Sequence, residues 1–242
     1  MPVLALILGI FSGILLGLTG GGGSIVTIPI FIYLLHYSYH SATTVSLIVV
    51  GSSALIGAYL KRKDIEYLTG GFFVVCGIVL TPLGILGSRY FSPHLLMLSI
   101  AVLMVIVGVV MLKGGSGSET DRKNFFKIAI VAGVTGALTG LFGVGGGFLI
   151  VPGLILFAGL SPKKAVSTSL FVIFLISLVT LTQKLGSSSI PWGVTLIFLC
   201  AMIIGMVVGS LVSKKIKERS VKKIFAIFVL ILGVIQIIIN II

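Results

Sequence analysis

Ten apolar segments fill this sequence, at roughly residues 2–18, 25–36, 42–60, 67–88, 95–112, 125–142, 148–160, 164–183, 191–213 and 220–242. Most run for about 17 to 23 residues, enough for a helix rising ~1.5 Å per residue to cross a hydrocarbon core of ~30 Å. Strands of a membrane barrel would alternate apolar and polar residues, and these segments do not. With 57% hydrophobic and 9% charged residues and a mean hydropathy of +1.30, the chain cannot cover itself in water as a soluble globule. The expected class is therefore an all-α polytopic membrane protein. Segment 2–18 lacks a preceding basic stretch and is followed by further spans, so it is read as a span and not as a cleaved signal.

The second and seventh segments are too short to cross, and each follows a glycine run. The first run is Gly17-Leu18-Thr19-Gly20-Gly21-Gly22-Gly23-Ser24 with Pro29 five residues on; the second is Gly140-Leu141-Phe142-Gly143-Val144-Gly145-Gly146-Gly147 with Pro152. Segments of about 12 and 13 residues rise only ~18 to 20 Å as helices, so one end of each stops inside the membrane. Irregular backbone at that depth is tolerated where it is buried in protein or lines a cavity.

The two runs belong to a longer repeat. At an offset of 123, Gly13, Gly17, Gly20, Gly22, Gly23 and Pro29 match Gly136, Gly140, Gly143, Gly145, Gly146 and Pro152, and Thr44 and Ser46 match Ser167 and Ser169. An offset of 125 pairs Gly84 with Gly209 and Gly108 with Gly233. Residues 1–112 and 125–242 are read as two transmembrane repeats in one membrane domain, joined by a polar, glycine- and serine-rich cytoplasmic linker at 113–124. Five segments per repeat is an odd number, so the expected architecture is two inverted-topology repeats with short broken or re-entrant helices after the glycine-rich loops.

The net charge of +12 sits in short turns, where lysine and arginine orient a membrane protein, so nucleic acid is not an expected partner. With the N-terminus outside and every segment changing sides, fifteen of the 17 basic residues fall on one face and only Arg89 and Lys184 on the other. The first face is thereby assigned to the cytoplasm of a prokaryote, with both termini outside the inner membrane.

A glycine run opening a helix presents unshielded N–H groups and the positive end of the helix dipole, the combination that binds anions without a formal charge. The competing role is close helix packing, which suits the lone Gly13 to Gly17 spacing. Four consecutive glycines cost a helix interior ~1 kcal/mol each, so Gly20 to Gly23 and Gly145 to Gly147 favour a ligand-lining loop. Ser24 suits an N-cap, its hydroxyl serving the helix or a ligand oxygen. Thr43, Thr44 and Ser46, and their counterparts Ser167, Thr168 and Ser169, either donate to an oxyanion or bond backbone and neighbouring helices.

Asp64, Glu66, Glu119, Asp121 and Glu218 lie in or beside cytoplasmic loops, and His36, His40 and His94 at the outer face. The bilayer centre is thus expected to hold no ionisable side chain, which disfavours a carboxylate proton relay. No Ser/His/Asp set, metal-spaced cluster or phosphate-binding Gly-x-x-x-x-Gly-Lys motif occurs, so neither enzyme nor cofactor nor metal is expected. Cys76 and Cys200 lie in apolar segments and read as buried small hydrophobes.

The opening Gly-Ile-Phe-Ser-Gly-Ile-Leu-Leu-Gly-Leu-Thr-Gly-Gly-Gly-Gly-Ser, its repeat Gly-Leu-Phe-Gly-Val-Gly-Gly-Gly-Phe-Leu-Ile-Val-Pro, and the Ala-x-x-Thr/Ser-Ser-Leu stretches resemble the TauE/SafE sulfite-exporter family along essentially the whole chain. The resemblance implies a permease for a small sulfur-containing anion such as sulfite, sulfoacetate or another organosulfonate. The expected partners are that anion and the lipid bilayer; no oligomeric state is assigned. The expected substrate-binding residues are Thr19, Gly20, Gly21, Gly22, Gly23, Ser24, Thr44, Ser46, Gly143, Gly145, Gly146, Gly147, Ser167 and Ser169. Because Ser24 is replaced by Gly147 and Thr19 by Phe142, the site is expected to be asymmetric. The alternative is a membrane scaffold or accessory subunit in which the glycines only pack helices.

Overall fold

A computed structural model of the chain describes residues 2–88, 90–113, 125–142, 147–184 and 190–241. Gly143, Gly145, Gly146 and all of the expected linker except Lys113 lie outside the described residues. The described chain is helical through most of each apolar segment: α1 (Pro2–Thr19), α2 (Gly22–Pro29), α3 (Tyr39–Leu60), α4 (Tyr67–Ser88), α5 (Pro93–Lys113), α6 (Phe125–Phe142), α7 (Gly147–Leu156), α8 (Pro162–Lys184), α9 (Trp192–Ser213) and α10 (Glu218–Ile241). Seven of these are long and apolar enough to cross a membrane. Leu68, Val75, Val79, Leu83 and Leu86 of α4 are all more than half exposed, as a lipid-facing helix side requires. The expected all-α polytopic class is what the chain adopts.

The two short segments are short for the reason their glycines and prolines suggest. Pro29 has no N–H to continue α2, and the backbone widens after it into a π-helical turn, Ile30–Leu34, with the Leu35 N–H donating to the Ile30 carbonyl at 3.0 Å. Pro152 instead stays inside α7, which runs for only 10 residues.

Helix pairing crosses between the halves. The most extensive packing is α1 on α9 and α4 on α6, followed by α5 on α10 and α3 on α8. Exchanging α1–α5 with α6–α10 turns the first pairing into the second and each of the others into itself, as does the weaker contact of α2 with α7. This exchange is the packing counterpart of the sequence repeat.

Glycine makes the interlocked pairs possible. A Cβ on Gly13 would overlap the Met202 carbonyl of α9, and one on Gly17 would lie 2.6 Å from the Met206 carbonyl. In the matching pair, Cβ atoms on Gly136 and Gly140 would overlap the carbonyls of Gly77 and Thr81 in α4. The backbones therefore touch, and Gly13 and Gly17 act as the packing residues their spacing indicates.

Candidate functional site

The first glycine run opens at Gly20, whose φ of +74° belongs to the left-handed region that favours glycine. Its conformation turns the chain from α1 into α2, and its N–H still donates to the Leu16 carbonyl at 2.8 Å. A Cβ here would also lie 2.5 Å from Ser169 Oγ of α8 and 2.8 Å from the Val166 carbonyl. Ser169 uses that closeness, its hydroxyl donating to the Gly20 carbonyl at 2.9 Å and to the Val166 carbonyl at 2.8 Å. Ser169 lies seven residues into α8, about 10 Å along its axis, so the break is held well inside the bundle. By the repeat offset Ser46 is the equivalent of Ser169, and Gly143, which lies outside the described residues, that of Gly20; Ser46 Oγ is buried and has no partner among the described residues.

Among the described residues the Ser169 hydroxyl makes the one side-chain hydrogen bond between α8 and this break, and Ser169→Ala is expected to lower stability by about 1 kcal/mol. The check is the melting temperature of purified protein. Ser167→Ala, which loses only a bond to the Lys163 carbonyl one turn away, is the control.

The neighbouring hydroxyls are engaged locally. Thr19 Oγ1 donates to the Leu15 carbonyl at 2.6 Å and accepts from the Gly22 N–H at 2.9 Å, so Thr19 supplies the hydroxyl that satisfies an orphan donor of α2. Ser24 is not the N-cap expected from the sequence: Gly21 holds that position, and Ser24, inside the first turn, donates to the Gly21 carbonyl at 2.9 Å. Thr44 Oγ1 donates to the His40 carbonyl at 3.0 Å. Glycine packs the rest of the turn: a Cβ on Gly22 would lie 2.7 Å from Thr19 Oγ1, and one on Gly23 2.7 Å from Leu16 Cβ.

The two breaks meet. A Cβ on Gly21 would overlap the Gly147 carbonyl, and one on Gly147 would lie 3.2 Å from Gly21 Cα and 2.8 Å from Ser24 Oγ. The starts of α2 and α7 are thus in backbone contact inside the bundle. Position 24 and its repeat equivalent 147 face each other across this crossing, and there is room for one side chain between them. That is the physical reason the second half carries glycine where the first carries serine.

Near the start of α3 and the end of α8 lies a cavity of about 290 Å³, with Tyr39, His40, Thr44, Ser88, Gln183 and Lys184 in its lining. Leu141, the second residue of the second glycine run, is also in its wall. Tyr39 fixes that end of α6 by donating its hydroxyl to the Phe142 carbonyl at 2.8 Å. Of the expected site residues, Thr44 reaches this cavity; Thr19, Ser24, Ser167 and Ser169 are packed in the interior.

Two lysines were missed by reading basic residues as orientation signals. Lys61, just past α3, is only 6% exposed, and its Nζ donates to the Gly17 carbonyl at 2.8 Å, three residues before the left-handed Gly20. Lys61 is thus buried in protein at a helix end, a placement that reading it as a loop cation did not anticipate. Burial pushes the Lys61 ammonium down to about 8, with Lys214 and Lys163 acting in the same direction and Asp64 opposing them. Lys184 ends α8 and its Nζ lies 3.4 Å from Thr43 Oγ1. Lys61 and Lys184 are themselves 123 residues apart, the offset of the glycine repeat, and that was the available signal.

A helical membrane bundle in which two short helices meet in the interior, with a polar cavity at the end of α6, suits a membrane transporter. The chain belongs to the Sulfite exporter TauE/SafE family, whose profile matches residues 5–235. It is 30% identical over 228 residues to a "Probable membrane transporter protein" of Xylella fastidiosa (strain 9a5c), covering 89% of this chain and 87% of that one. It is 25% identical over 260 residues to the "Probable membrane transporter protein YunE" of Bacillus subtilis, covering 96% and 95%. A shorter match, 34% over 95 residues, is to "Sulfite exporter TauE/SafE family protein 1" of Arabidopsis thaliana, covering 39% of this chain and 21% of that protein. Membership in this family supports membrane transport as the function class.

Proposed function

We propose that the protein is a secondary transporter or facilitator that exports a small sulfur-containing anion, such as sulfite, sulfoacetate or another organosulfonate, across the inner membrane of a prokaryote. The observation that carries this reading is the cavity beside α3 and α8. Among the described residues its lining offers an ammonium, a histidine, hydroxyls and an amide, and no carboxylate. Such a surface attracts an oxyanion and repels no part of it. The name of the Arabidopsis relative, a sulfite exporter family protein, points to the same ligand class. The expected site residues at the two breaks, Gly20 to Ser24 and Gly143 to Gly147, with Thr44, Ser46, Ser167 and Ser169 on α3 and α8, form the inner part of the path in this reading.

In this reading the basic-residue asymmetry is taken to orient the chain with both termini and the cavity outside and Lys61 on the cytoplasmic side. Alternating access then requires two bodies related by the repeat. Because glycine locks α1 onto α9 and α4 onto α6, each body is composite, drawing helices from both halves, and a rocking of residues 1–112 against 125–242 would break both contacts. Export is the favoured direction, since moving one negative charge out of a negative-inside compartment gains ~2.3 kcal/mol per 100 mV.

Purified protein in liposomes preloaded with sulfite is expected to release it faster when a negative-inside potential is imposed. Absence of flux for sulfite, sulfoacetate and thiosulfate at every potential would favour the scaffold reading instead.

A further inference from the structure

The repeat places two lysines at equivalent positions, and the structure shows them doing different things. Lys61 is closed onto the end of α1, its ammonium donating to the Gly17 carbonyl at 2.8 Å with almost no exposure. Lys184 lies in the wall of the 290 Å³ cavity, and among the described residues its ammonium has a long 3.4 Å contact to Thr43 Oγ1 in place of a helix-end carbonyl. The carbonyl that would correspond to that of Gly17 is that of Gly140 in α6, by the same offset of 123. One twin is masked on a helix-end carbonyl, and the other faces a space large enough for a small anion and several waters at ~30 Å³ each.

We propose that Lys184 and Lys61 are the two anion-binding cations of the transport path, one serving each face of the membrane, and that each is masked on its helix-end carbonyl when its own face is closed. The inference rests on the transport reading and names the groups that hold the substrate at entry and exit. In the described arrangement the Lys184 face is open, and the anion is held there by the Lys184 ammonium with the polar lining of Thr44, Ser88 and Gln183 around it. When the composite bodies exchange, Lys61 leaves the Gly17 carbonyl to meet the anion on the opposite face, and Lys184 takes the equivalent place on α6. A helix C-terminus is a suitable resting place for an ammonium, because its last carbonyls lack partners and carry partial negative charge. The twin positions differ in one detail: Lys184 has the Thr43 hydroxyl as a neighbour, whereas the residue equivalent to Thr43 is Val166, which offers Lys61 no side-chain acceptor.

The ligand class follows from the donors. A primary ammonium beside hydroxyls and an amide suits a compact oxyanion and does not require the planar bidentate geometry that an arginine would impose.

The test is sided kinetics. Sulfite transport is measured in liposomes from each face, using wild type, Lys184→Met and Lys61→Met, with insertion direction established by protease accessibility. Lys184→Met is expected to raise KM at least tenfold from the cavity face and less than twofold from the other, and Lys61→Met is expected to show the reverse. Lys184→Arg and Lys61→Arg, which keep the charge, should recover most of the loss on the same face. Where Lys61→Met does not fold, Lys61→Gln, which keeps a donor for the Gly17 carbonyl, takes its place. Wild-type flux with KM unchanged in either variant, or shifted equally from both faces, overturns the proposal while leaving the transport reading intact. No flux in wild type from either face overturns both.

Discussion

Gly147→Ser is expected to destabilise the protein by ~1–3 kcal/mol and to reduce flux sharply, and adding Ser24→Gly is expected to recover most of both losses. The reason is the single space between the equivalent positions 24 and 147. A Cβ on Gly147 would lie 2.8 Å from Ser24 Oγ and 3.2 Å from Gly21 Cα, so a second serine forces the starts of α2 and α7 apart. Removing the Ser24 side chain reopens the space. Ser24→Gly alone forfeits the 2.9 Å bond to the Gly21 carbonyl, a loss of about 1 kcal/mol. The four proteins form a double-mutant cycle whose coupling term is favourable if the two side chains compete for one site. Melting temperature and sulfite efflux from liposomes are measured for all four. A double variant no better than Gly147→Ser would show that positions 24 and 147 do not meet as described.

This crossing also shows where sequence reading succeeds and stops. The glycine runs and prolines were legible because a bilayer penalises unsatisfied backbone, so an interrupted apolar run marks a broken helix before any coordinates are known. Helix limits were legible for the same reason: α4 occupies Tyr67–Ser88 and α6 Phe125–Phe142, where the apolar segments fall. The difference between Ser24 and Gly147 was visible too, but its cause was not, because an offset shows which positions are equivalent and not that two of them touch. Pairing of α1 with α9 was hidden likewise: Gly13 and Gly17 announce close packing without naming the partner. The hydroxyls were ambiguous in principle, since Thr19 and Ser169 bond nearby carbonyls and also tie the break, and composition cannot separate those uses. Lys61 and Lys184 were concealed by a sound rule. Lysine at a helix end does orient membrane proteins, and only the 123-residue offset distinguishes this pair from the other loop cations.

The buried Lys61 gives an expectation in pH. Its ammonium is pushed down to about 8 from the ordinary 10.5, mainly by burial and further by Lys214 and Lys163, against an opposing pull from Asp64. The folded state therefore holds this proton less tightly than the unfolded chain. Between about pH 8 and 10.5 the unfolded chain binds more protons, so stability rises with pH across that window. Below it, the charged amine costs the closed arrangement something on the order of 3 kcal/mol. Other lysines and tyrosines titrate in the same range, so the quantity to measure is the difference in melting temperature between wild type and Lys61→Met at pH 7 and pH 10. That difference is expected to shift in favour of wild type as the pH rises, and an unchanged difference would mean that the ammonium reaches water and does not rest on Gly17. The same penalty bears on turnover: near neutral pH the charged Lys61 is held at a cost on the closed face, which favours its release toward an anion when that face opens.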